Sequence, residues 1–142
     1  MKLLSRISIL LIIVLLGLSS CGDEPDGKWD KMKWNDLSNL KQVDGNYIVP
    51  ACGGTYTFEC KNYMAPWINT VMESGVTDYS LIEINHDFHR FTGNWFDVQC
   101  INADLVVTID PLEADCYDRS LTVVVTAGDI FDTFVFQQQK LQ

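Results

Sequence analysis

From residue 21 onward, apolar and polar residues alternate with period two far more often than they recur at helical spacing. Such alternation marks a strand with one buried face, because successive side chains of a strand point to opposite sides of the sheet. Residues 55–61 put Tyr56, Phe58 and Cys60 on one face and Thr55, Thr57, Glu59 and Lys61 on the other. Gly53-Gly54 supplies the turn before them, and Tyr47-Ile48-Val49, stopped by Pro50, is the preceding strand. Further strands are predicted over residues 67–72, closed by Ser74-Gly75, and over 79–85. Residues 88–91 and 95–101 flank Thr92-Gly93-Asn94, a three-residue hairpin loop in which Gly93 can take positive φ. Residues 105–109 form a continuous apolar run ended by Asp110-Pro111, and residues 121–126 are β-branched after Leu121. Ala127-Gly128-Asp129 then turns the chain into a last strand over 130–136. Short strands separated by turn signals every 8–12 residues or so predict an all-β chain, a sandwich of two antiparallel sheets with about seven to nine strands. Residues 36–42 are the one place where a helical turn is expected, and seven residues cannot sustain a helix alone. No internal repeat or low-complexity segment interrupts the pattern.

The first twenty residues have another character. Lys2 and Arg6 precede an almost wholly apolar stretch over 7–18. A helix of that length spans about 18 Å, short of a bilayer core of roughly 30 Å. It reads as the apolar region of a secretory signal, not a permanent span. Leu18-Ser19-Ser20-Cys21 follows and resembles a bacterial lipobox. That resemblance implies cleavage before Cys21 and acylation of its sulfur and new amino terminus. Two or three acyl chains hold a protein on a membrane almost permanently. Gly22-Asp23-Glu24-Pro25-Asp26-Gly27 is a solvated tether, and its acidic cluster resembles the surface-export signal of Bacteroidetes lipoproteins. The chain thus divides into a signal peptide over 1–20, a lipidated Cys with tether and N-terminal arm over 21–45, and a domain over 46–142. The location implied is the outer membrane, lipid-anchored and facing the cell surface.

Charge narrows the partners. The 142 residues hold 10 Lys and Arg against 19 Asp and Glu, a net −9. Residues 1–20 contain two of the cations and no acid, so the mature chain carries 8 − 19 = −11. Nucleic-acid binding needs clustered cations and is excluded from the reading. Beyond Cys21 there are four cysteines, Cys52, Cys60, Cys100 and Cys116. An exported compartment permits disulfides among them, with three connectivities that sequence cannot separate. The alternative is buried thiols packed as small hydrophobes. No C-x-x-C occurs, so thioredoxin-like or zinc chemistry is not expected.

Over residues 47–138 the pattern resembles the BACON family, immunoglobulin-like β-sandwich modules of gut Bacteroidetes associated with carbohydrate binding. The matching positions are Gly53-Gly54 followed by Phe58, Asn62 and Trp67; Trp95; Leu105-Val106-Val107-Thr108-Ile109 followed by Arg119 and Leu121-Thr122-Val123-Val124-Val125; and Phe134-Val135-Phe136-Gln137-Gln138. Residues 74–94 read as an insertion relative to that family. The resemblance implies an immunoglobulin-like fold and glycan binding, and it supplies no catalytic residues. Arg119, opening a strand, is expected to bond loop carbonyls or Asp115 and Asp118, and Trp67, after Pro66, to lie in the core.

No G-x-S-x-G elbow, P-loop, Rossmann glycine pattern or H-E-x-x-H is present, and no catalytic residue or cofactor is assigned. His86 and His89 stand three apart, on opposite faces of a strand, and Asp110, Glu113, Asp115 and Asp118 do not follow a calcium-loop spacing, so no metal is expected. The candidate glycan-binding set is Tyr79, Phe88, His89, Arg90, Phe91, Asn94 and Trp95, which mixes rings for stacking on sugar C–H faces with hydrogen-bonding groups. The rings of that hairpin can equally continue the core, as can Trp29 and Trp34 of the arm. The function expected is a non-catalytic, lipid-anchored envelope lipoprotein that binds surface glycan. The alternative is a structural or protein-interaction subunit of an envelope complex, reached by strand addition at an open sheet edge.

Overall fold

The computed structural model describes residues 29–74, 76–77, 87–113 and 117–140. Eleven strands run through them: β1 (Trp34–Asp36), β2 (Lys41–Val43), β3 (Asn46–Val49), β4 (Gly54–Cys60), β5 (Trp67–Glu73), β6 (Val76–Thr77), β7 (Arg90–Thr92), β8 (Phe96–Ile101), β9 (Asp104–Ile109), β10 (Arg119–Thr126) and β11 (Phe131–Gln138). They form two sheets, one ordered β1-β4-β9-β8-β7 and the other β2-β3-β11-β10-β5-β6. All neighbours are antiparallel except β3 and β11, which run parallel with Tyr47 opposite Phe136. Placing β4, β9 and β8 in one sheet and β5, β10 and β11 in the other reproduces the immunoglobulin strand order, with its sheet-to-sheet crossovers. The expected strand over 79–85 lies outside the described residues.

Alternation does what elementary geometry requires. Tyr56, Phe58 and Cys60 of β4 are buried while Thr55, Thr57 and Glu59 face outward or sit half-covered. The run over 105–109 also alternates, with Leu105, Val107 and Ile109 inside and Val106 and Thr108 half-covered. Facing them from the second sheet are Ile68, Leu121, Val123, Val125 and Phe136. Each such side chain contributes about 1.5–3 kcal/mol on leaving water. Rings anchor one flank of this core: Phe58 lies 4.9 Å from both Tyr47 and Phe134, and Tyr47 5.4 Å from Phe136.

The helical turn, the separate N-terminal arm and the core placement of Trp67 change. Residues 36–42 form no helical turn. Asp36 Oδ1 accepts from the Ser38 amide at 2.8 Å, and the Ser38 hydroxyl accepts from the Leu40 amide at 3.1 Å. Local side-chain bonds of this kind satisfy the backbone without a helix, and Asn39 takes a positive φ of 57° between β1 and β2. The N-terminal arm is therefore part of the sandwich from Trp34 onward. Trp34 is half-buried, edge-on to Phe134 at 5.0 Å, and its indole N–H donates to Asp132 Oδ2 at 2.9 Å. Trp29 remains exposed. Trp67 is half-buried on the outward side of β5, opposite Thr126, not in the core. Of the two alternatives left open for the cysteines, Cys52, Cys60 and Cys100 follow the free-thiol one; pairings that use Cys116 lie outside the described residues. Cys60 and Cys100 fill core positions, and burial pushes the Cys100 thiol up to about 12.

The edge strands are short. β1, β2 and β7 have three residues and β6 has two. Short edges expose few unpaired backbone groups to another strand. Pairing also defines two ends of the sandwich. Val49, Gly54, Glu73, Phe96, Ile109, Arg119 and Gln138 gather at one, and Cys60, Trp67, Ile101, Thr126 and Phe131 at the other.

Gly53 closes the turn into β4 with φ +68°, and a Cβ there would lie 2.1 Å from the Ile109 carbonyl oxygen. Gly128 has φ +86° with open space around it. Gly53→Ala is expected to cost about 3 kcal/mol or more in urea unfolding and Gly128→Ala about 1 kcal/mol, because only the first adds a backbone collision to the conformational penalty. In native protein, iodoacetamide should modify Cys52 within minutes and leave Cys60 and Cys100 intact until denaturant is added, as peptide mass spectrometry will read.

Candidate functional site

At the Gln138 end, both sheets meet around one buried amide. Gln138 continues the inward parity of Phe134 and Phe136 and is 1 % exposed. A buried amide must find partners or forfeit its hydration. Its Nε2 donates to the carbonyls of Pro50 at 2.9 Å, Asp110 at 3.1 Å and Ala51 at 3.3 Å. Its Oε1 accepts from Arg119 Nε at 2.7 Å. The ends of β3 and β9 and the start of β10 are thereby held together.

Arg119 carries the connection onward. Its Nη2 donates to the carbonyls of Asp110 at 2.7 Å and Pro111 at 3.2 Å. The guanidinium carbon lies 4.1 Å above the centre of the Trp95 ring. A planar cation is held there by the negative face of the indole. The Trp95 indole N–H in turn donates to the Glu73 carboxylate at the end of β5. The series Gln138–Arg119–Trp95–Glu73 thus couples the β7–β8 loop of one sheet to β5, β10 and β11 of the other.

Two adjoining hollows open on either side of Glu73 and Ser74. One, about 380 Å³, is lined by Ser74, Asp118, Arg119, Ser120, Gln137, Gln138 and Gln139. The other, about 270 Å³, has Val71, Phe91 and Phe96 as an apolar floor and Glu73, Thr92, Gly93 and Asn94 at its rim. Phe91 and Phe96 stack at 5.9 Å with planes 6° apart. Gly93 is required by this floor: a Cβ would lie 2.4 Å from the Phe96 ring. Its φ is not positive, contrary to the expectation for a three-residue loop, because the constraint is steric approach to a ring and not turn handedness. Ser74 does take a positive φ of 46°, and its amide donates to Ser120 at 2.8 Å, fixing the corner between the hollows.

The candidate glycan residues separate. Phe91 and Trp95 are buried; Trp95 acts from within, as the shelf under Arg119. Asn94 is exposed on the rim of the smaller hollow. Arg90 faces outward on β7, where its Nε is 3.0 Å from Asp97 Oδ1. Phe88 and His89 are exposed at the opposite end of the hairpin, away from both hollows. Tyr79, His86, Asp115, Cys116 and Cys21 lie outside the described residues. Among the described residues no three His, Cys, Asp or Glu side chains cluster as metal ligands. Glu73, Ser74, Thr92, Ser120 and Gln138 are the site residues missed in the sequence. Gln138 alone carried a signal there, as a polar residue in phase with Phe134 and Phe136.

Asp97 sits beside the site on the outward face of β8. Burial raises its carboxyl, but bonds from Thr92, Gln99 and Arg90 outweigh that and hold it below the ordinary carboxylate range.

No family pattern and no curated protein matches this chain. A protein from Bacteroides thetaiotaomicron with an NMR structure is similar, at 37 % identity and a TM-score of 0.69 over 85 % of this chain and 97 % of that one. Titin domain M4 is also similar, at 11 % identity and a TM-score of 0.44 over 80 % of this chain and 99 % of that one.

Gln138→Leu is expected to cost about 2–4 kcal/mol in urea unfolding, by stranding Arg119 Nε and three carbonyls. Arg119→Lys should cost about 1–2 kcal/mol, since an ammonium neither forks nor stacks as guanidinium does. For Asp97, a depressed folded pKa means its stabilisation is present above the unfolded value and lost as pH falls through the folded one. Asp97→Asn should therefore lower stability at neutral pH by less than about 1 kcal/mol and flatten the loss of stability below about pH 4, followed by thermal melts.

Proposed function

We propose, for a chain that belongs to the same family as the Bacteroides thetaiotaomicron protein, a non-catalytic role as an outer-membrane lipoprotein that captures glycan at the cell surface. The observation that carries this reading is the pair of hollows around Glu73 and Ser74. Their rims offer hydroxyl, amide and carboxylate groups from Ser74, Ser120, Gln137, Gln139, Thr92, Asn94 and Glu73, and the smaller has a ring-lined floor. Sugars need that mixture: fixed polar groups for hydroxyls and an apolar surface for C–H faces. The supporting shell is rigid, since Arg119 and Trp95 hold Glu73 from behind. The resemblance to BACON modules supports the same ligand class. The lipobox ending at Cys21 and the acidic tether behind it support an acylated, surface-facing location.

The strand-addition alternative has less support. Edge strands of two or three residues offer a partner few backbone groups to pair with.

The purified chain should bind at least one class of host or dietary polysaccharide in an affinity gel. Glu73→Gln and Asn94→Ala should each weaken that binding by about tenfold, the effect of losing roughly 1.4 kcal/mol of contact, with melting temperatures unchanged. Uniform absence of binding across polysaccharides would overturn the glycan reading. Trp95→Ala is unsuited to this test, because Trp95 is part of the core.

A further inference from the structure

The end of the sandwich opposite the hollows has a different chemistry. There the chain before β1 lies against the β4–β5 loop. Tyr63 Oη donates to the Asp30 carbonyl at 2.6 Å, Asn62 Nδ2 to the Lys31 carbonyl at 2.9 Å, and the Lys61 amide to the Lys33 carbonyl at 2.7 Å. This corner exposes two large apolar side chains, Met64 at 88 % and Trp29 at 57 %. It also carries Lys31, Lys33 and Lys61 against Asp30, Glu59 and Asp104, which stands opposite Glu59 across β4 and β9, 3 − 3 = 0, in a chain of net −9. Beside it, the Cys60 amide donates to the Ala103 carbonyl, bringing the β8–β9 turn and exposed Ile101 alongside. Asp87 and Asp129 stand on the other loops of this end.

The geometry points to this corner as a membrane seat: the surface that rests on a phospholipid headgroup layer, with the hollows turned away from the bilayer. Three observations select that occupant. Trp29 follows Cys21 by eight residues, so even a fully extended chain keeps it within about 28 Å of the acylated sulfur. Trp is the side chain suited to the headgroup level, with an apolar body and one polar N–H, and Met64 supplies flexible apolar surface below it. The lysines can meet lipid phosphates, while Asp87 and Asp129 turn the other loops away so that the arm corner meets the lipid first. The seat rests on the proposed acylation of Cys21.

The test uses the full chain, matured and acylated in a Gram-negative host, and then reconstituted in vesicles of phosphatidylethanolamine and phosphatidylglycerol. Amine acylation of Lys31 and Lys33 and peroxide oxidation of Met64 should slow by roughly fivefold or more on the vesicles relative to detergent. Lys140, whose amide is bonded to Asp118 at the far end, should label equally in both. Trp29→Ser combined with Met64→Ser should abolish the protection of Lys31 and Lys33 while the protein still floats with the vesicles. Equal labelling at both ends of floating protein overturns the seat and leaves the anchor standing. Protection seen in native envelopes but not on vesicles assigns the corner to a protein partner and also overturns it. A mature chain without acyl mass overturns anchor and seat together.

Discussion

The buried amide of Gln138 is the joint on which both the fold and the site depend. Both its polar groups are used, and its bonds reach three parts of the chain: the loop after β3, the loop after β9 and the start of β10. A hydrophobic core fixes which faces meet but leaves sliding and splaying at the rim. Directional bonds between one side chain and three carbonyls remove that freedom. Arg119 then transmits the order to Trp95 and Glu73, so the rim of the hollows inherits its geometry from a side chain that is almost wholly buried.

The sandwich separates its chemistry along its long axis. Polar groups that can meet a soluble ligand line the hollows where Gln138 lies, and Trp29 and Met64 are exposed where the N-terminal arm enters. The immunoglobulin strand order makes this division available without cost to the core, because loops at the two ends are joined through strands whose inward residues are nearly all apolar. The buried polar residues among those described are Thr70, Thr126 and Gln138, and Gln138 sits at the end that carries the hollows.

The fold was largely legible in the chain because its main strands alternate strictly; β4 and β8–β11 follow the period-two pattern almost residue for residue. The short edge strands were not legible. Two or three residues carry no periodicity; β2 and β6 pair with adjacent strands across two-residue turns, and β1 is specified by partners elsewhere in the chain, Glu59 and Phe58 among them. The site was less legible than the fold. Alternation shows that one face of a hairpin is buried without saying which, so Trp95 and Asn94 looked alike although one is core and the other rim. Glu73 and Ser74 acquire meaning only when the turn after β5 is brought against the β7–β8 loop, and no local pattern encodes that approach.

The brevity of the sheet edges has a further consequence. Molecules confined to a surface meet one another far more often than molecules in bulk solution, and an open ribbon edge would let neighbours knit into fibres. Here each edge strand among the described residues pairs over only two or three positions, so a crowded two-dimensional layer of the kind the proposed anchor would create stays a population of separate beads.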